Sequence, residues 1–298
     1  MPDIHELILS LMVGISTGMV IVLISIGLSL TFGTMRIVNM AHGGFFMIAA
    51  FLMYSTVKIV GESMLGFVVA VVISIIATIF LGAVLERLVF RRMYGRQHMS
   101  GLLGTFALML MFQGAAEQIW GVQPLSVNMP LSLIRAVTIF GAALPVYNLV
   151  LMGVAAIALG LLTLLSYRTQ LGMETRAVAA DRSMAALLGV RVRRVFALTF
   201  AAGTALAALA GALMAPLVQV SSSLAPTYII LAFAIVLVGG IGSVLGTFIA
   251  GLSIGIIDSM IAINFPLFAG YAPFVAMAVV IAIRPSGLLG NPATALIE

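Results

Sequence analysis

Cysteine is absent from the 298 residues, so disulfide staples and thiolate metal sites are excluded. Charge is nearly as scarce. Asp, Glu, Lys and Arg together make up 8% of the chain, and lysine occurs once, at Lys58. A soluble domain carries about 25% charged residues, which this chain lacks for covering a water-facing surface. Soluble enzymes, nucleic-acid binders and disordered chains are thereby excluded. No Gly-Lys-Ser or Gly-Lys-Thr occurs, so there is no Walker A phosphate cradle. No Gly-x-Ser-x-Gly nucleophile elbow occurs either. His5, His42 and His98 are isolated, without metal-ligand spacing. The chain is expected not to be an enzyme, and to carry no cofactor of its own.

Apolar residues fill the space that charge leaves. They make up 63% of the chain, and the mean hydropathy is +1.27. A spanning helix needs about 20 apolar residues, whereas barrel strands alternate over about ten. The charge-free runs here are long and do not alternate: Leu7–Met35, Ile37–Val57, Ser63–Leu85, a shorter one near Met99–Ala116, Ala136–Tyr167, Val195–Ile257 and Ser259–Ile283. The sixth is too long for one helix, and Pro216 with the serines before Pro226 divides it. The expectation is an all-α polytopic membrane protein of about eight transmembrane segments, with residues 1–298 forming one membrane domain. The first six residues hold Asp3 and Glu6 but no Lys or Arg, unlike a cleaved signal peptide, so the first run is expected to be retained.

Two loops gather the positive charge. Glu86–His98 holds Arg87, Arg91, Arg92 and Arg96; Arg168–Arg194 holds Arg168, Arg176, Arg182, Arg191, Arg193 and Arg194. Both should face the cytoplasm. Three spans precede the first, which places the N-terminus outside. Parity after Arg194 puts the C-terminus outside too, unless Gly239-Gly240-Ile-Gly242 splits Ala225–Ile257 into two helices.

Thr31–Gly44 and Leu237–Ser243 each place glycine and polar groups inside apolar sequence. Irregular backbone at membrane depth is tolerated where it is buried in protein or lines a cavity, and paired breaks in two halves of a chain point to a transport pathway. Asn39, His42, Gly43, Gly44, Gly239, Gly240 and Gly242 are therefore candidate pathway residues; kinked, closely packed helices are the alternative. Asn39, His42 and Gln113 are better read as interhelical hydrogen bonders than as substrate contacts. No acidic group falls clearly at the middle of a run, which argues against ion coupling. The glycine pairs 14/18, 242/246 and 251/255, and the stripe Gly203, Ala207, Gly211 and Ala215, are expected to serve packing within the chain rather than a subunit interface.

Within the second basic loop, Glu174–Leu188 reads as a short amphipathic helix. Ala177, Ala180, Met184, Leu187 and Leu188 fall on one stripe of about 100°. Glu174 suits the helix N-terminus and Gly189 the C-terminal cap. The stripe lacks Trp and Phe, so a groove on a partner protein suits it better than lipid.

These residues carry a resemblance. Gly27–Gly44, with Asn39, Ala41, His42 and Gly43 in an Asn-x-Ala-His-Gly core, resembles the early signature of permease subunits of bacterial ABC importers for branched-chain amino acids, the LivH-type half in particular. Ala177–Pro216, with Ala180, Asp181, Leu187, Leu188 and Gly189, is similar to the coupling loop and following span of that family. Phe233–Gly251 resembles its Gly-Gly-x-Gly segment. The resemblance implies the ABC importer permease fold in the bacterial inner membrane. It implies a LivM-type second permease, two ATPase subunits that bind the ATP, a periplasmic substrate-binding protein, and a coupling helix around Glu174–Gly189. It also implies that specificity resides largely in the binding protein. The family includes urea and short-amide importers, and an ion-coupled secondary transporter is the rival outside it.

Overall fold

The computed structural model describes residues 4–94, 98–139 and 141–290. Asp3 and Arg96 lie outside the described residues. Helices run through α1 (Ile4–Met35), α2 (Ala41–Val60), α3 (Met64–Leu85), a π-turn (Glu86–Phe90), α4 (Arg91–Met93), α5 (His98–Trp120) and α6 (Leu131–Ile134). A hairpin of β1 (Ala136–Ile139) and β2 (Ala142–Pro145) follows. Then come α7 (Val146–Arg168), α8 (Gln170–Ala180), α9 (Arg182–Leu187), α10 (Val192–Met214), α11 (Leu224–Gly239), α12 (Val244–Asn264) and α13 (Ala272–Ile283). The chain is an all-α polytopic membrane protein. Among the described residues, seven helices are long and apolar enough to cross a membrane, and α11 and α13 are shorter apolar helices.

Boundaries within three of the runs differ from the hydropathy reading, and Ser259–Ile283 is shared between the end of α12 and α13. Ala225–Ile257 divides at Gly240 and Gly242, whose φ angles of 101° and 76° suit only glycine without strain. Ser243 restarts the chain as α12 by accepting from the Gly246 N–H at 3.1 Å. This division is the alternative that changes the parity: Gly287 and Gly290 return to pack on Gly240, and Gly242 lies against Gly33, near the Met35 end of α1 that Arg182 reaches. The run Ala136–Tyr167 is helical only from Val146. Its first ten residues hold the antiparallel hairpin, with Ala136 opposite Pro145 and Ile139 opposite Ala142. Charge-free sequence cannot by itself tell a hairpin from a span.

Burial sorts the helices. α2 and α10 have two thirds of their apolar window buried, against about a fifth for α3 and α7, so the first pair is central and the second peripheral. The centre is aromatic. Phe46 stacks on Tyr228 with ring centroids 4.2 Å apart, and Phe45 meets Phe112 and Phe200 edge-on at 5.2 and 5.8 Å. The small residues are used within the chain, as their spacing predicts. A Cβ on Gly14 would stand 2.8 Å from the Ile256 Cα, and one on Gly18 would stand 3.3 Å from the Gly255 Cα, so α1 and α12 touch backbone to backbone. Gly27 and Gly203 do the same for α1 and α10, at 2.8 Å from the Gly203 oxygen.

Candidate functional site

The break between α1 and α2 is a true irregular segment. Arg36, at φ 54°, is the only non-glycine residue in the left-handed region among the described residues. Its N–H closes α1 on the Phe32 oxygen at 2.8 Å. α2 does not begin beside the end of α1. His42, its second residue, reaches the Ile24 carbonyl, which lies about 16 Å back along α1 at 1.5 Å per residue. The non-helical Ile37–Asn39 segment therefore runs back into the bundle. Thr105 of α5 satisfies it: its hydroxyl donates to the Val38 oxygen at 2.9 Å and accepts from the Met40 N–H at 3.1 Å. Gln113, also of α5, donates to the Ser222 oxygen in the turn between α10 and α11 at 3.0 Å. The two Thr105 bonds meet the rule that non-helical backbone inside the bundle must find protein partners.

Asn39 and His42 are both buried. A carbonyl can only accept, so His42 Nε2, 3.1 Å from the Ile24 oxygen, carries the proton. That leaves Nδ1 an acceptor. It has no partner, and neither does Asn39 Oδ1. Gly43 and Gly44 let neighbours in: a Cβ on Gly43 would strike the Ala225 oxygen and stand 2.8 Å from the Ile229 Cβ, and one on Gly44 would strike the Phe112 ring. The N-terminus of α2 thus sits on the first turn of α11. Gly239, Gly240 and Gly242 form a separate group at the α11–α12 turn, where Gly239 abuts Gly246 and Thr247. Gly33, whose Cβ would stand 2.9 Å from the Gly242 Cα, joins that turn to α1. The seven candidate pathway residues are therefore two packed clusters, not one chamber. An open cleft of about 530 Å³ lies elsewhere, between Glu62–Met64 and Asn128–Ser132.

The loop Arg168–Arg194 is two helices, not the single Glu174–Leu188 helix that the stripe predicts. Thr169 caps α8 by accepting from the Gly172 N–H at 3.3 Å. Asp181 ends α8 in extended backbone and starts α9, its carboxylate accepting from the Ser183 and Met184 N–H groups at 2.8 and 3.0 Å. An N-cap of this kind contributes about 1 kcal/mol. Asp181→Ala should therefore speed amide exchange through residues 182–187 roughly fivefold while leaving α8 protected, as read by hydrogen–deuterium exchange mass spectrometry. Gly189, at φ 87°, closes the loop as expected. The predicted stripe is left facing outward: Ala177 and Ala180 are exposed, and Met184, Leu187 and Leu188 are 55%, 82% and 77% exposed. Glu174 is half-buried.

Sequence reasoning missed the polar contacts beneath this loop. Arg182 Nη2 donates to the Met35 carbonyl at 2.6 Å, and its guanidinium lies 5.1 Å over the Phe196 ring. Burial, and then the positive charge of Arg36, lower the Arg182 pKa from its ordinary value. Tyr94 meets the Phe196 ring edge-on at 4.9 Å and donates to Glu86 at 2.9 Å. Burial first, and then that bond, raise the Tyr94 pKa. Thr105 gave no sequence signal, being one hydroxyl in an apolar run. Arg182 was visible only as one of six arginines.

The sequence profile of the family described as branched-chain amino acid transport system, permease component, matches residues 10–284. The high-affinity branched-chain amino acid transport system permease protein BraD of Pseudomonas aeruginosa is 28% identical, with 98% of each chain covered. The corresponding LivH of Escherichia coli K12 is 29% identical, with 94% of each covered. The probable LivH of Methanocaldococcus jannaschii is 24% identical over 91% of this chain and 88% of its own. Among solved structures, PsaBC from Streptococcus pneumoniae in complex with Fab is 17% identical at a TM-score of 0.49, covering 97% of this chain and 93% of that one. With its profile spanning all but the two ends, the chain belongs to the family of permease components of branched-chain amino acid transport systems.

Proposed function

We propose that this chain is the membrane-spanning permease of an ABC importer that carries branched-chain amino acids across the bacterial inner membrane. Family membership over residues 10–284 supports the transport reading. The observation that carries the mechanism is the outward-facing apolar tip of Met184, Leu187 and Leu188, on a capped loop at the arginine-rich end of the bundle. A solvated, charged surround with an apolar tip suits a groove on a partner protein. The partner is an ATPase, since the chain has no phosphate-binding loop of its own. Glu174, Ala177, Ala180, Asp181, Met184, Leu187, Leu188 and Gly189 form its docking element. The basic end faces the cytoplasm and the N-terminus the periplasm, where a substrate-binding protein delivers solute. A LivM-type chain supplies the second half of the gate. ATP binding biases the pair between two packings because the ATPases hold them with different affinities. Asn39, His42 and the glycines at both breaks line the route when the clusters part.

Reconstitution tests this. The two permeases, the ATPases and the binding protein in proteoliposomes should import labelled leucine only with ATP at the ATPase face, and ionophores should not abolish it. Competition by urea or acetamide would redirect the substrate class. Accumulation of leucine by this chain alone on an ion gradient would overturn the reading.

A further inference from the structure

Both basic loops converge on one ring. Phe196, near the start of α10, is buried. Arg182 lies over it from the coupling loop, and Tyr94 approaches it edge-on from the first basic loop. Tyr94 is itself fixed by Glu86, a buried carboxylate in the π-turn that also lies 3.6 Å from the Arg91 Nε. The ring is thus a fixed seat for the guanidinium.

From that seat Arg182 reaches across 147 residues of sequence to the last carbonyl of α1, at Met35. A helix C-terminus leaves its final carbonyls without helical partners and carries negative partial charge, so a cation there is favoured twice over. A charged donor also makes the stronger kind of hydrogen bond. The next residue, Arg36, is the left-handed turn into the non-helical segment that leads to Asn39 and His42. One side chain thus ties the exposed docking tip to the helix whose end sets the α1–α2 break. α9 is only six residues long and otherwise presents mainly exposed side chains.

We propose that Arg182 is a positioning residue that carries displacement of the coupling loop into the end of α1, with the Phe196 ring as its seat. This rests on the importer reading above. Losing the tie should let the ATPases cycle without moving α1. In proteoliposomes holding the full complex, Arg182→Met should raise the ATP hydrolysed per leucine imported at least about fivefold, the lower range of a coupling free energy. Arg182→Lys, which keeps a cation and a donor, should recover part of the loss. A merely structural role would lower hydrolysis and import together and leave the ratio alone. Wild-type import with an unchanged ratio in Arg182→Met overturns this proposal only. A wild-type complex that imports nothing on ATP overturns the importer reading, and this proposal with it.

Should Arg182→Met fail to assemble, the wild-type tie can be read directly. The chain has no cysteine to remove, so nitroxides at Ile37→Cys and Ser183→Cys report the separation of the two ends. A separation that stays constant between nucleotide-free and ATP-bound complexes is expected. One that changes on ATP binding overturns the tie.

Discussion

Gly43→Leu should abolish uptake, by at least about tenfold, while a leucine at Gly160 should leave it near wild type. The two positions differ in what surrounds them. A Cβ on Gly43 meets the Ala225 backbone oxygen and the Ile229 Cβ, whereas one on Gly160 meets nothing within 4 Å. Backbone cannot rotate away as a long side chain can. Overpacking of this kind costs about 1–3 kcal/mol and here pries α2 from the first turn of α11. The displacement falls on the turn that holds His42 against Ile24. Leucine uptake, normalised to the amount of permease in the membrane, checks it. Full uptake by Gly43→Leu at normal levels would show that the contact of α2 with α11 opens without consequence.

Leu187→Asp should cost the permease its ATPases and leave its own fold intact. Leu187 is 82% exposed, so the isolated chain loses little when it is replaced. In a groove, however, the same change buries an unpaired carboxylate and removes an apolar anchor, which together cost several kcal/mol. ATPase recovered with a tagged permease should fall at least about tenfold, with the thermal midpoint of the detergent-solubilised chain unmoved. Ala180→Asp, also exposed, should act in the same direction more weakly, since it removes one methyl group. Undiminished recovery in both variants would take the docking role away from this stripe.

How far the sequence announced these sites depended on how local the physics was. Hydropathy and charge locate the apolar runs that hold the spans, because a bilayer leaves an apolar helix few alternatives, but not where each helix begins and ends. Gly240 and Gly242 mark the α11–α12 turn because only glycine takes their φ angles without strain. The stripe on the second basic loop falls on exposed residues, but the continuous helix read from it does not exist. Asp181 before Arg-Ser-Met is an N-cap signal, and its carboxylate divides the loop where the periodicity ran on. The hairpin hides inside a charge-free run, although Gly141 and Pro145 punctuate it. Thr105 on Val38 and Arg182 on Met35 join residues 67 and 147 apart. Such pairings are decided by the assembled bundle, and no short window of sequence contains them.

The backbone contact between α1 and α12 also sets an order of events during synthesis. Gly14 and Gly18 emerge first, and their partners around Gly255 emerge about 240 residues later. At about 5–20 residues per second, that is a wait of roughly 10 to 50 s. α1 is thus made long before the helix it touches backbone to backbone, and until α12 arrives its glycine face must be covered by something else.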